Sequence, residues 1–137
     1  MIEISLFDRN NIQYVNEAAH LLADNFPHAY KDCALEEMEE YLASEKIAMM
    51  ATDGGHFIGF VGAVPHYDGN VWELHPLVVE RARQCQGIGT KLMELAISRI
   101  KEMNISMISV IYGEEKLRSF YEKFGFFTML CGQMEVK

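Results

Sequence analysis

Two turn signals divide the middle of the sequence and limit the possible folds more than any other feature. Residues 53–55 read Asp-Gly-Gly and residues 68–70 read Asp-Gly-Asn, each between apolar segments. Glycine, aspartate and asparagine adopt the positive φ angles that tight hairpins need. We therefore predict an antiparallel meander of three strands, over residues 46–52, 57–67 and 71–80.

Helices are predicted on both sides of this meander. The most regular pattern lies at residues 87–103, where apolar side chains recur every three or four positions and so share one helix face: Ile88, Leu92, Leu95, Ala96, Ile100 and Met103. A helix is predicted at residues 11–25 and ends at Phe26-Pro27. A short helix is predicted to begin after an N-cap at Asp32, with an apolar stripe of Leu35, Met38 and Leu42. The last helix is predicted at residues 114–124 and ends at Gly125.

The remaining strand-like segments complete a sheet. They are residues 2–7, a buried strand at 106–112, and two short strands at 126–130 and 134–136. A strand–helix–strand step after a meander implies a mixed sheet with helices on its faces. We predict an α/β fold with a mixed, mostly antiparallel sheet of about seven strands and about four flanking helices. Residues 1–137 are expected to form a single domain.

The net charge of the chain limits the kinds of molecule that it can bind. The chain has 12 lysines and arginines against 20 aspartates and glutamates, a net charge of −8. Such a surface repels nucleic acid and anionic membranes and attracts cations. We expect no nucleic-acid or membrane partner and a cationic substrate, although the acidity can equally serve solubility alone.

The cysteines and histidines point to neither disulfides nor a metal. Cys33, Cys85 and Cys131 are odd in number and far apart, and the five histidines show no H-E-x-x-H spacing. Reduced thiols, no signal-peptide pattern and no apolar run near 20 residues predict a cytoplasmic protein.

A glycine-containing loop precedes the predicted helix at 87–103. Three of the twelve basic residues, Arg81, Arg83 and Lys91, flank Gly87 and Gly89. Glycines let backbone N–H groups approach an anion, and a helix N-terminus adds about half a positive charge. The loop is typical of a phosphate site; the alternative is a helix start with basic neighbours.

The spacing within this loop discriminates between phosphate ligands. A nucleoside triphosphate loop requires G-x-x-x-x-G-K-[ST], but Gln84 stands at the first glycine position. A dinucleotide fingerprint requires G-x-G-x-x-G, but Leu92 stands at the third. The pattern Gln84-x-x-Gly87-x-Gly89 resembles the [Q/R]-x-x-G-x-[G/A] loop of the GCN5-related N-acetyltransferases, and the order of elements agrees with that family.

Membership of this family would imply acetyl-coenzyme A as co-substrate and no metal. Backbone N–H groups of residues 84–90 would hold the pyrophosphate, and the strand at residues 77–79 would pair with the pantetheine amides. The resemblance thus assigns coenzyme contacts to Leu77, Val78, Val79, Gln84, Cys85, Gln86, Gly87, Ile88, Gly89, Thr90 and Tyr121.

Four segments resemble one branch of the family, the enterococcal-type aminoglycoside 6'-N-acetyltransferases. They are residues 7–11 (FDRNN), 36–40 (EEMEE), 59–65 (GFVGAVP) and 72–80 (WELHPLVVE). That branch carries a long insertion before the last helix, where this chain has only residues 113–116. The acceptor amine therefore stays open between an aminoglycoside and a polyamine, an amino acid or a protein N-terminus. A third alternative is a non-catalytic sensor of acyl-coenzyme A.

Candidate catalytic groups lie around the last strand of the meander. Glu73 and His75 are two residues apart and so share a strand face, and Pro76 favours a bulge there. By resemblance Glu73 matches the branch's proposed general base, and the N–H of Leu77 polarises the thioester carbonyl. Transfer of a proton from an ammonium of pKa about 10 to a carboxylate of pKa about 4.3 costs about 8 kcal/mol. Glu73 is therefore better assigned to binding the ammonium and passing its proton to water.

The remaining candidate catalytic residues can also be explained by a purely structural role. His75 is expected either to relay the proton or to be structural. Tyr121 matches the family's tyrosine facing the coenzyme sulfur, but its spacing also suits a core aromatic beside Leu117 and Phe124. The final strands would leave an exposed edge, from which we expect a homodimer.

Overall fold

The sheet has five strands in the computed structural model, which describes residues 1–43, 47–65 and 70–136. The strands are β1 (Ile2–Leu6), β2 (Ile47–Asp53), β3 (His56–Pro65), β4 (Val71–Val79) and β5 (Met107–Ser109). They lie in the order β1-β2-β3-β4-β5; β1 to β4 pair antiparallel and β5 runs parallel to β4. The predicted class, a mixed and mostly antiparallel α/β sheet, is confirmed.

Five helices accompany these strands in the described part of the chain. They are α1 (Ile12–Asn25), α2 (Pro27–Tyr30), α3 (Ala34–Tyr41), α4 (Ile88–Lys101) and α5 (Arg118–Glu122). Two short 3-10 turns, Arg81–Arg83 and Glu115–Leu117, precede α4 and α5. Among the described helices, none is both long and apolar enough to cross a membrane.

Two apolar cores cover the two faces of the sheet. On one face α1 and α3 pack through Leu22 and Met38 against Phe60 of β3. On the other face α4 packs through Leu92 and Met93 against β2 to β4. All five of these side chains are 0 % exposed. Of the stripe predicted for this helix, Ile88, Leu92, Ala96 and Ile100 are buried, whereas Met103 lies beyond the end of α4 and is 45 % exposed.

The meander is confirmed, and its first hairpin has the predicted backbone. Gly54 and Gly55 have φ angles of 59° and 89°, values that non-glycine residues rarely adopt. The second predicted turn, at residues 68–70, lies mostly outside the described residues, as do the predicted strand ends at residues 46 and 66–67.

The predicted count of about seven strands is too high for the described residues. Residues 126–130 and 134–136 form no strand, and Phe127 and Leu130 are 70 % and 99 % exposed. A strand is stabilised by hydrogen bonds to a neighbour, and alternating apolar residues alone do not supply one. The strand predicted at 106–112 is also shorter, and Met107 is exposed, so it is not fully buried.

Helix boundaries differ from the prediction in three places. The predicted N-cap at Asp32 is wrong, because Cys33 stands at the N-cap of α3 and makes no side-chain hydrogen bond to the helix. Leu35 of the predicted apolar stripe is 45 % exposed. The sequence analysis missed α2, which begins at Pro27 and therefore follows α1 without a strand between them. The predicted helix at 114–124 is divided into a 3-10 turn and α5.

Candidate active site

A bulge distorts β4 at the predicted place. Val61 pairs with Leu77 and Ala63 pairs with Leu74, so one extra residue of β4 lies opposite Gly62. The extra residue falls in the His75-Pro76 step, where proline has no N–H to give to the ladder. Glu73 and His75 consequently face α2 and α3, whereas Leu77 and Val79 face α4.

Beyond the bulge, β4 and β5 separate. Their pairing ends at Glu73 and Ser109, and a cavity of about 570 Å³ opens at this point of the sheet. Its lining comes from β4, the loop before α4, the start of α4, the chain after β5, and α5. This volume is in the range of small-molecule and cofactor sites.

The cavity-side edge of β4 carries backbone groups that do not pair with β3, of which Val79 O accepts a hydrogen bond from Gln84 Nε2. The N–H of Glu80 donates to Ile58 O of β3 at 2.8 Å. Successive residues of an antiparallel strand point their N–H and C=O groups to opposite sides of the strand. The backbone groups of Val78 therefore point to β3, and those of Leu77 and Val79 point to the cavity. This edge offers backbone donors and acceptors to an extended ligand.

The loop before α4 has the geometry of an anion site. Cys85 and Gly87 have φ angles of 65° and 81°, and Gly87 caps α4 without a side-chain hydrogen bond. The first N–H groups of a helix have no intrahelical acceptor. The donors of Ile88, Gly89 and Thr90 therefore accompany the positive end of the helix dipole at the cavity wall.

Ion pairs anchor this loop to the rest of the protein. Arg83 binds Asp53 at 2.7 Å and Arg81 binds Asp24 at 3.0 Å. The N-terminal ammonium and Arg83 lower the pKa of Asp53 to about 2. Gln84 donates through Nε2 to Val79 O at 3.0 Å, which ties the loop to the end of β4. Two of the three basic residues noted in the sequence are thus paired with carboxylates.

Tyr121 of α5 also lines the cavity. Its ring stacks on that of Tyr112, with centroids 4.9 Å apart and planes 17° apart. Burial, and to a lesser degree Tyr112, raises the pKa of Tyr121, so its phenol stays protonated at neutral pH. It can therefore donate a proton or hydrogen bond into the cavity.

The opposite face of β4 carries the other candidates. His75 is half-buried, and its Nε2 lies 2.8 Å from Tyr30 Oη. Burial lowers the pKa of His75, an effect that the carboxylates of Glu73 and Glu37 oppose. Burial, followed by a hydrogen bond with Tyr30, raises the pKa of Tyr41.

The structure brings most of the predicted site residues to one cavity. Its lining includes His75, Leu77, Val79, Gln84, Cys85, Gly87, Ile88, Gly89, Thr90 and Tyr121. Glu73, Val78 and Gln86 do not line it; the side chain of Val78 is buried in the core on the other face. Within the described residues no cluster of three or more histidine, cysteine or acidic side chains could hold a metal ion.

Sequence analysis missed several residues of this region. Tyr112 lines the cavity beside Tyr121, and Phe26 lies at its edge. Tyr30 and Tyr41 contact His75 from helices α2 and α3. The available signal was the break at Phe26-Pro27, which turns the chain toward β4, but no periodic pattern marks a four-residue helix.

Comparison with known proteins decides the family. The model of the acetyltransferase (GNAT) family matches residues 15–126, from α1 to just beyond α5. The chain belongs to the GNAT family of acetyltransferases. This GNAT protein is an acetyl-coenzyme A-dependent N-acetyltransferase. A sequence search against curated proteins finds no match.

Solved structures agree with this assignment. An aminoglycoside 6'-N-acetyltransferase complexed with coenzyme A is 32% identical to this GNAT protein, with a TM-score of 0.81. The aminoglycoside 6'-N-acetyltransferase from Enterococcus faecium is 32% identical, with a TM-score of 0.79. Both alignments cover 90% of this chain and 83% of the other. An aminoglycoside 6'-acetyltransferase type Ii is 37% identical with a TM-score of 0.77, covering 89% of this chain and 81% of that one.

Proposed function

We propose that this GNAT protein transfers the acetyl group of acetyl-coenzyme A to a primary amine of a small cationic acceptor. The observation that carries the proposal is the cavity between β4 and β5. It has an uncapped helix N-terminus at one wall and the protonated phenol of Tyr121 at another. An elongated thioester with an anionic end matches that distribution of donors.

The coenzyme is proposed to bind along β4 and the loop before α4. Backbone N–H groups of residues 84–90 receive the pyrophosphate, and the backbone of Leu77 and Val79 pairs with the pantetheine amides. The N–H of Leu77 then polarises the thioester carbonyl and stabilises the oxyanion that forms when the amine attacks. No metal takes part in this scheme.

The proposed reaction is direct attack through a tetrahedral intermediate. Glu73 binds the acceptor ammonium and passes one of its protons to water, and the neutral amine then attacks. The C–N bond forms, the C–S bond breaks, and Tyr121 gives its proton to the departing thiolate. A phenol of ordinary pKa near 10 protonates a thiolate of pKa near 8.5 at a cost of about 2 kcal/mol. The raised pKa of Tyr121 increases this cost, so Tyr121 contributes modestly.

An aminoglycoside is the first acceptor to test. The relatives at 32% identity carry that activity in their names, and the net charge of −8 attracts polycations. A polyamine, an amino acid or a protein N-terminus is the alternative, because only residues 110–114 lie between β5 and the 3-10 turn before α5, where the resembled branch carries a long insertion.

We further propose a cytoplasmic homodimer. All three cysteines are free, which suits a reducing compartment. Phe127, Met129, Leu130, Met134 and Val136 are exposed, and β5 is an edge strand of the described sheet. Burying such a surface against a second copy is favourable. A monomeric mass by light scattering at micromolar concentration would contradict the dimer.

The proposal is tested by coenzyme A release from acetyl-coenzyme A. The panel is kanamycin-type aminoglycosides, spermidine, amino acids and short peptides. Release with kcat/KM above about 10⁴ M⁻¹s⁻¹ for one cationic amine is expected. Coenzyme binding with no amine-dependent release from any member would contradict transfer to small amines.

A further inference from the structure

A chain of three side chains reaches from helices α2 and α3 to the candidate site. Tyr30 Oη lies 2.8 Å from His75 Nε2, and the ring of Tyr41 meets that of His75 edge-on with centroids 6.0 Å apart. Tyr41 is buried and also hydrogen-bonds Tyr30. Two aromatic residues thus hold the His75 ring on the α2/α3 face of β4, and His75 is also one of the residues that line the cavity.

The hydrogen bond restricts which nitrogen of His75 can act. A neutral imidazole has one N–H donor and one basic nitrogen. If Nε2 were the basic nitrogen, Tyr30 would occupy it and shield it from the acceptor amine. If Nε2 carries the proton and donates to Tyr30 Oη, Nδ1 is left basic. A hydroxyl oxygen also accepts from the imidazolium, so the ring need not turn on protonation.

We propose that Tyr30 is a positioning residue that accepts a hydrogen bond from His75 Nε2–H and so presents Nδ1 of His75 as the base for acetyl transfer. This inference rests on the proposed function. As the C–N bond forms, the intermediate's N–H proton moves to Nδ1. The C–S bond then breaks, the thiolate takes a proton from Tyr121, and both side chains return to their starting states by exchange with water.

The charged surroundings of His75 are compatible with this role. Burial favours the neutral imidazole, which a base must be before the reaction. The carboxylates of Glu73 on β4 and Glu37 on α3 oppose that effect and stabilise the imidazolium. Tyr41 stays neutral because burial and its hydrogen bond with Tyr30 raise its pKa.

The first test does not depend on activity. In protein labelled with ¹⁵N-histidine, the ring shifts of His75 report which nitrogen carries the proton. We expect the Nε2–H tautomer in the wild type. In Tyr30→Phe we expect a mixture of tautomers and a lower pKa of His75, because the acceptor for Nε2–H is lost. The Nδ1–H tautomer in the wild type, or an unchanged tautomer in Tyr30→Phe, would overturn the inference.

The second test is a double-mutant cycle on turnover. Tyr30→Phe and His75→Gln are each expected to lower kcat about tenfold, within the range for general acid–base catalysis, with little change in KM. Tyr30→Phe should add nothing to His75→Gln, because it acts through His75. Independent, multiplying losses would overturn the inference.

A pH profile and a matched control complete the design. In Tyr30→Phe the acidic limb of kcat/KM should move to lower pH, following the pKa of His75. Tyr14→Phe removes a hydroxyl that donates to Gly55 O at 3.3 Å; neither residue lines the cavity, so the rate and profile should be unchanged. If no amine is acetylated at all, the proposed function fails, while the tautomer measurement still decides the Tyr30–His75 relationship.

Discussion

A β-carbon placed on Gly62 would lie 2.8 Å from the carbonyl oxygen of His75. Real β-carbons essentially never approach a backbone atom that closely. Gly62 is the residue of β3 opposite the bulge, so its missing side chain lets the two strands stay close where β4 carries an extra residue. The bulge in turn places His75 and Leu77 on opposite faces of the sheet.

Gly62→Ala should therefore destabilise the protein and disturb the site. The added methyl must displace the backbone of β4, and overpacking of this kind costs about 1–3 kcal/mol in the free energy of unfolding. Urea denaturation measures this loss. Gly132→Ala, where nothing lies within 4 Å of the new methyl, is the control and should change stability by less than about 0.5 kcal/mol. Equal stabilities of the two variants would contradict this description of the bulge.

The sequence predicted the fold best where local chemistry decides it. The Asp-Gly-Gly turn at residues 53–55 and the periodic helix after Gly87 depend on backbone preference and a single buried face, and both are confirmed. The strands predicted at residues 126–130 and 134–136 do not form, because their pattern suits a strand but strand pairing depends on a distant neighbour. The short α2 has too few residues for any periodicity.

Tyr121→Phe should lower kcat by roughly one to two orders of magnitude, the low end of general acid catalysis. Burial keeps Tyr121 protonated at neutral pH, so a proton is available for the thiolate, and its raised pKa makes it a weak acid whose contribution is modest. Pre-steady-state measurement of the acetyl-transfer step separates chemistry from product release. Tyr14→Phe again serves as the control. An unchanged rate in a variant whose chemical step limits turnover would remove Tyr121 from the mechanism.

Glu73→Gln should raise KM for the acceptor and lower kcat/KM about tenfold or more, because the ammonium loses its charged partner. Binding of the coenzyme should not change, since Glu73 does not line the cavity. Glu39→Gln removes the same charge from an exposed position on α3 and is the control. Intact transfer in Glu73→Gln would show that the role assigned to Glu73 is wrong.

Gly87→Ala should weaken coenzyme A binding about tenfold, which corresponds to about 1.4 kcal/mol. The φ angle of 81° at Gly87 is unfavourable for alanine, so the start of α4 must shift and its N–H groups move away from the anion. Calorimetry of coenzyme binding measures the effect, with Gly132→Ala as the reference. Unchanged affinity would argue against this helix N-terminus as the pyrophosphate site.

His75 should make stability fall as the solution becomes acidic. Burial lowers its pKa in the folded state below the ordinary 6.5. Below about pH 6.5 the unfolded chain therefore binds more protons than the folded protein, and stability decreases until the folded pKa is reached. Between about pH 7.5 and 5.5 the wild type should lose more unfolding free energy than His75→Gln. Parallel pH curves for the two proteins would contradict the burial effect.

The candidate site was predictable as far as its residues belong to one motif. The loop from Gln84 to Thr90 is contiguous in sequence, and its place at the start of α4 follows from a local pattern. Tyr30 and Tyr41 come from separate helices that meet β4 only in the folded chain. The pairing of Arg83 with Asp53 likewise joins residues 30 positions apart, so no local pattern in the sequence indicates that this cation is paired with a carboxylate.

The most direct test of acetyl transfer to a small cationic amine is mass spectrometry of the acceptor. The protein is incubated with acetyl-coenzyme A and the amine that gives the fastest coenzyme release. We predict one acetyl group added to the amine for each coenzyme A released, with both rates reduced together in Glu73→Gln and Tyr121→Phe. Coenzyme A released without acetylated amine, or bound acetyl-coenzyme A that persists with every acceptor, would contradict the proposed function.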